Sequence, residues 1–254
     1  MATIGGDVTE QIKSEVDLFG SIMQHNVIEN EFNREYAPLA TIQPGMAIEF
    51  TVKGANDLYV NITNSRLHVI AKITKADRTN IDANTAAFIN LTLHSMFREI
   101  GLEFNGRNVI HTSQRYPYRS DLESLLHFCK EVQEIRHLSE RWTKDTTGHI
   151  IVTAVGGNNA GLNARAATFA RSTFVELIGR SHLNVFHQER LIPPNIDFHM
   201  KLIPSPNDFV CKSAMPDANA QQENHMLVIQ SANRIIRTKK LTRTAHKALM
   251  DVHL

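Results

Sequence analysis

The sequence has 254 residues, of which 42% are hydrophobic and 21% charged, a composition that supports a buried core and excludes a disordered chain. Lys plus Arg number 27 against 26 Asp plus Glu, and a net charge of +1 excludes a strongly cationic nucleic-acid coat. No run of about 18 apolar residues is present to cross a membrane. The opening stretch Met1–Glu15 is polar and acidic and reads as no secretory signal, and Ala2 stands where N-myristoylation needs glycine.

Residues 1–35 read as an N-terminal arm, polar apart from short apolar patches at Val16–Phe19 and Ile22–Met23. A domain is expected over 36–254. From Ile42 the texture becomes strand-like. Ile48, Phe50 and Val52 alternate with polar residues, as do Leu58, Val60 and Ile62, and then Leu67, Val69, Ala71 and Ile73. A period of two over five to eight residues marks half-buried antiparallel strands. The separators Lys53–Asp57 and Thr63–Asn64–Ser65 read as turns, giving three strands here.

Asn90–Ile100 reads as a strand passing into a helical turn. Leu102–Ile110 reads as a hairpin, because Asn105–Gly106 supplies the two positive φ values of a type I′ turn. A helix is predicted next, with Ser120 and Glu123 as a capping box and Pro117 just before it. Leu122, Leu125, Cys129 and Val132 would form its buried stripe, making Cys129 a small core residue. His127 and Cys129 are two apart, on different helix faces, so they form no catalytic pair. Cys129 and Cys211 read as reduced thiols.

Residues 143–168 read as a long surface loop; Gly156–Gly157–Asn158–Asn159–Ala160–Gly161 lacks the lysine of a phosphate-binding loop. Strands are predicted again at Thr173–Ile178, Leu183–Phe186, Ile196–Ile203, Met226–Gln230 and Thr238–Leu241. About eight strands with one helix and long loops predict a two-sheet Greek-key sandwich.

The chemistry is sparse. Thirteen histidines carry no His-x-His and no H-E-x-x-H, and His182 and His187, five apart on an apparent strand, would face opposite sides. No nucleophile-elbow motif occurs. No catalytic residue, no metal and no cofactor is therefore expected. The last 25 residues are basic: Arg234, Arg237, Lys239, Lys240, Arg243 and Lys247 stand against Asp251. They read first as a solvated strand and helix face, and second as a weak nucleic-acid contact.

Several stretches together resemble one family. They are Ser14–Glu15–Val16–Asp17–Leu18–Phe19, then Tyr116–Pro117–Tyr118–Arg119, Lys144–Asp145–Thr146, Ile178–Gly179–Arg180 and Gln188–Glu189–Arg190. The sequence resembles the double jelly-roll major capsid proteins of Polinton (Maverick) elements and related DNA viruses, over roughly residues 12–250. The resemblance implies an all-β, eight-stranded jelly-roll sandwich with a helical insertion, and a viral capsid structural protein rather than an enzyme. It implies copies of itself as partners, in a homotrimer or pseudo-hexagonal capsomer within an icosahedral shell, and a minor capsid protein as a further partner. It implies localisation in the virion after assembly inside the host cell. The chain ends about where the family's second roll would begin, so it is expected to correspond to the N-terminal roll. The alternative is a lectin-like ligand-binding jelly roll, for which Trp142 and four tyrosines offer few aromatic contacts.

Overall fold

The computed structural model describes residues 27–152, 154–213 and 224–252. Among these, ten strands follow in chain order: β1 (Ile28–Tyr36), β2 (Ile48–Val52), β3 (Leu58–Lys75), β4 (Ala86–Phe88), β5 (Phe97–Phe104), β6 (Arg107–His111), β7 (Val175–Gly179), β8 (Phe198–Pro204), β9 (Cys211–Ser213) and β10 (His225–Leu241). The helices are α1 (Thr92–Ser95), α2 (Tyr116–His127), α3 (Lys130–Arg136), α4 (Ala160–Thr168), α5 (Asn207–Val210) and α6 (Arg243–Val252).

Eight strands make two four-stranded sheets, ordered β1-β10-β3-β7 and β2-β8-β5-β6, while β4 and β9 pair separately. Four of the antiparallel pairs are nested in sequence: β1 with β10, β2 with β8, β3 with β7, and β5 with β6. A nested hairpin of four pairs, rolled so that alternate pairs fall in opposite sheets, is a jelly roll. The predicted two-layer sandwich is therefore correct, with an additional two-stranded pair beside it.

The inward positions are those the alternation marks. Phe50, Leu102, Met200 and Leu202 from one sheet and Val69, Ala71, Ile73 and Leu177 from the other are fully buried in a single apolar core. Each of these side chains apart from Ala71 contributes about 1.5–3 kcal/mol through its removal from water. The Asn105–Gly106 hairpin forms as predicted, with φ values of 48° and 73°.

Several expectations are corrected. Thr63–Asn64–Ser65 is no turn. It lies inside β3, where residues 62–65 bulge opposite Ile236 of β10, between the pairs Arg66–Ile235 and Asn61–Arg237. The Asn61 side chain accepts the Asn64 amide at 3.2 Å and the Asn61 carbonyl accepts the Ser65 hydroxyl at 3.0 Å, so local polar bonds replace the missing ladder. Met226–Gln230 and Thr238–Leu241 are likewise parts of one strand, β10. In the 90–100 stretch the order is reversed, helix α1 first and strand β5 after it. The arm expected over 1–35 loses its last part to the sheet: β1 pairs along β10 from Ile28 to Tyr36, so the roll begins before residue 36. Residues 1–26 of that arm, with Asp17, Leu18 and Phe19, lie outside the described residues.

The helical insertion between β6 and β7 departs most. The Ser120–Glu123 box does not cap α2, which starts at Tyr116 with Pro117 in its first turn. Its buried face is Tyr116, Pro117, Ser120 and Ser124. Ser120 donates to the Pro117 carbonyl and Ser124 to the Ser120 carbonyl, both at 2.8 Å, so small self-satisfied hydroxyls line the packed side. Leu122, Leu125 and Leu126 consequently face outward at 56%, 53% and 76% exposure. The helix breaks at Phe128, whose backbone is extended, and Cys129 is exposed rather than buried. Neither cysteine is bridged. The expected loop 143–168 ends in α4, because the Asn159 side chain accepts the amides of Gly161 and Leu162 and caps a helix there. Leu183–Phe186 is no strand; Asn184–His187 forms a 3-10 turn.

Gly54, between β2 and β3, is a point of close backbone approach. A Cβ there would lie 2.6 Å from the Ile196 nitrogen and 2.7 Å from the Asn195 carbonyl carbon. Gly54→Ala is expected to cost about 1–3 kcal/mol in denaturant unfolding through this overlap; unchanged stability would contradict the packing.

Candidate functional site

Two features of the insertion carry the functional reading: a buried polar cluster beneath it and an apolar face on top of it. The cluster forms where α1, α2, the 3-10 turn His137–Glu140 and the segment after β7 converge. His94, Tyr116, His137, Glu140 and His182 are all at most 3% exposed. The Tyr116 hydroxyl lies 2.8 Å from His94 Nδ1 and accepts the His182 amide at 3.1 Å. Glu140 Oε2 sits 2.5 Å from His137 Nδ1 and 3.4 Å from His94 Nε2, and Oε1 accepts the Arg180 amide at 3.3 Å. Gly179 is required beside it, since any Cβ there would overlap the Glu140 side chain.

A second carboxylate closes the outer rim. Glu123 Oε1 accepts Arg119 Nε at 2.8 Å, and Oε2 lies 2.9 Å from His182 Nδ1 and 3.5 Å from His187 Nε2. His182 and His187 thus meet one carboxylate instead of facing opposite sides of a sheet. The 3-10 turn between them, which the sequence pattern disguised as a strand, turns both toward α2.

Burial pushes the His182 imidazole down to about 4, reinforced by the neighbouring His94, so it is neutral at pH 7. Burial works to raise both carboxyls, but hydrogen bonds and electrostatic attraction from their neighbours win. Glu123 is held well below the usual range by His182, His187 and Arg119, and Glu140 by His94 and His137. Burial raises the Tyr116 phenol and lowers the Arg180 guanidinium to about 10. Arg234 is fully buried, stacked 4.6 Å over the Phe186 ring and bonded to the Ser181 hydroxyl at 3.1 Å, with burial lowering it to about 9.

The motif residues divide into two groups and a remainder. Tyr116, Arg119, Gly179 and Arg180 all border this cluster, with Pro117 buried in the first turn of α2. Lys144 and Asp145 lie elsewhere, at a second polar knot. There the buried Arg165 donates to the Phe88 carbonyl at 3.1 Å, the Thr143 hydroxyl at 2.6 Å and Asp145 Oδ1 at 3.0 Å, while Lys144 is exposed. Tyr118 is exposed against Phe209, and Glu189 and Arg190 are exposed, with the Gln188 side chain bracketing Arg190. Sequence reading missed His94, His137, Glu140 and Arg165. The local signals were Arg119–Glu123 and His137–Glu140 at helical spacing; the other partners come from 20 to 77 residues away.

The apolar face comprises Tyr118, Leu122, Leu125 and Leu126 of α2; Ile135 of α3, at 78% exposure, and Leu138 are also exposed. Residues 118, 122 and 125 fall on one helical stripe. The basic C-terminal strand is largely neutralised. Arg237 Nε meets Glu31 at 2.8 Å, Lys239 meets Glu31 at 3.6 Å and Lys240 meets Glu29 at 3.3 Å, all across the β1–β10 pair.

The fold has solved counterparts. A chain of the Sputnik virophage, solved by cryo-electron microscopy, matches with a TM-score of 0.62 at 10% identity, covering 91% of this chain and 52% of that one. The quasi-atomic model of the PBCV-1 virus capsid matches with a TM-score of 0.52 at 8% identity, covering 91% and 46%. The mavirus major capsid protein matches with a TM-score of 0.42 at 10% identity, covering 83% and 46%. The chain thus spans about half the length of the solved chains it matches. No protein-family model matches the chain, and no curated protein does. The jelly-roll architecture is therefore shared with proteins of virus particles.

Removal of the guanidinium at the second knot would strand Asp145 and two backbone-linked acceptors. Arg165→Ala is expected to cost about 3–5 kcal/mol in chemical denaturation; a loss below about 1 kcal/mol would show that the knot carries no stability.

Proposed function

We propose that this chain is a viral capsid structural protein, a subunit of the major capsid protein class that self-associates to build an icosahedral shell. The observation that carries this reading is the outward apolar face of α2 and α3 on a jelly-roll frame. A helix that packs its serines inward and presents leucines to solvent is built to be covered. The fold shared with the Sputnik and PBCV-1 chains supports a copy of the same chain as the cover. Because one roll fills about half of each matched chain, the assembled unit is read as this roll beside another, in a trimer of pseudo-hexagonal outline. The ordered motif residues support the Polinton-type relationship, with the virion as its location, assembly inside the host cell and a minor capsid protein as a further contact.

The role is structural rather than catalytic. Its titratable cluster is closed to substrate, with His94, His137, Glu140 and His182 buried. A lectin-like role is disfavoured because a cleft of about 560 Å³ between Ile42 and Ile229 is lined by no aromatic residue.

Sedimentation velocity is expected to show concentration-dependent association of the wild type. The double variant Leu122→Glu/Leu126→Glu should sediment as a monomer with an unchanged thermal midpoint. A wild type that stays monomeric into the high micromolar range, or a variant that associates equally well, would overturn the reading.

The ion pairs on β10 leave few cations for phosphate. Nucleic-acid affinity is expected to be weak, with log K falling against log salt with a slope shallower than about −2. Submicromolar binding with a steep slope would show that the basic strand is a nucleic-acid contact after all.

A further inference from the structure

The buried cluster has one property that its hydrogen bonds do not use. His94 Nε2 is enclosed and has no hydrogen-bond partner, although it lies 3.4 Å from Glu140 Oε2. One ligand atom each from His94, Glu140 and His182 all lie within 4.8 Å of one another, and all three residues are buried. An orphaned imidazole nitrogen beside a buried carboxylate costs stability unless something fills the gap.

We propose that His94 Nε2, His182 Nε2 and a Glu140 carboxylate oxygen bind one divalent transition-metal ion, with zinc the best chemical match. Two imidazoles and a carboxylate form a borderline-soft donor set that suits zinc and its neighbours rather than calcium or magnesium. The 3.4 Å separation of His94 Nε2 and Glu140 Oε2 equals the edge of a tetrahedron with metal–ligand bonds of roughly 2.1 Å. Drawing the widest pair, at up to 4.8 Å, to that edge takes a closure of at most about 1.4 Å, shared between two side chains.

The surrounding groups are arranged as such a site needs. His94 Nδ1 faces the Tyr116 hydroxyl at 2.8 Å and His182 Nδ1 faces Glu123 at 2.9 Å. With each Nδ1–H donated to that oxygen, each Nε2 presents its lone pair inward. Carboxylate or hydroxyl partners behind metal-bound histidines fix the tautomer and ring angle in this way. His137 Nδ1 meets the same Glu140 oxygen, Oε2, that faces His94, and the Arg180 amide holds Oε1.

The group Glu123, His182 and His187 is a weaker candidate. Glu123 is paired with the Arg119 guanidinium, whose fixed positive charge opposes a metal ion there, and His187 is exposed. An ion in the inner site would join three separate segments: α1, the 3-10 turn of the insertion, and the stretch after β7. Its role would be to staple the helical insertion to the roll.

The test uses the purified 254-residue chain, stripped with EDTA and dialysed against Zn²⁺ or Co²⁺. One ion per chain is expected, with Co²⁺ visible absorption of a four- or five-coordinate nitrogen–oxygen site and a thermal midpoint raised by zinc. His94→Gln should weaken affinity by more than about a hundredfold, and Glu123→Gln, acting through His182, by roughly 10–100-fold. His187→Ala should bind as the wild type does. Absence of a stoichiometric ion, retention of binding in a folded His94→Gln, or its loss in His187→Ala would each overturn the assignment. Should His94→Gln fail to fold, zinc X-ray absorption of the wild type decides. A shell with two imidazoles and carboxylate oxygen supports the site, and any other ligand set contradicts it.

Discussion

The pairing of β10 with β3 is the constraint on which the rest depends. These two long strands lie side by side from His225–Lys75 to Lys240–Leu58, and each carries a second partner on its far edge, β1 and β7. Once they are joined, chain order leaves β2, β5, β6 and β8 to form the facing sheet. The alternation of Leu67, Val69, Ala71 and Ile73 then points one side of β3 at that sheet, and a slip of one residue would turn all four to solvent. Two bulges keep this long pairing in phase. One lies at Gln230 and the other, opposite Ile236, at residues 62–65.

The insertion follows from the roll it sits on. It leaves after β6 and returns at β7, so its inner surface must seal the end of the core near Tyr116 and Phe186. It does so with polar groups in matched sets rather than with leucines. Serines allow α2 to approach closely, and the carboxylates Glu123 and Glu140 hold the neighbouring imidazoles. The apolar side chains of α2 and α3 are thereby left on the outside. A buried polar layer and an exposed apolar one are two consequences of the same packing choice, and it is on the exposed one that the proposed self-association rests.

Much of the frame was legible in the sequence because period-two alternation reports directly on a sheet with one buried face. Phe50, Val69, Met200 and Leu202 are buried as their spacing required, and Asn105–Gly106 forms its turn. What misled was polar residues doing backbone work. Thr63–Asn64–Ser65 has turn chemistry but forms a bulge, and Arg234 hides the middle of β10 because a fully buried arginine breaks the apolar pattern. The helix was found but its faces were inverted, since leucine spacing says which residues share a stripe and not which side of the helix is covered. The buried cluster was not legible. His94, Glu140 and His182 belong to three distant segments, and only the topology brings them together.

Hydrogen–deuterium exchange of the intact chain, measured across a range of protein concentrations, tests the account most directly. Amides of β3 and β10 should exchange slowly at every concentration, whereas those of residues 116–136 should become more protected as concentration rises. Exchange in 116–136 that is indifferent to concentration, while another surface gains protection, would show that copies of this chain meet elsewhere and that the outward leucines serve a different end.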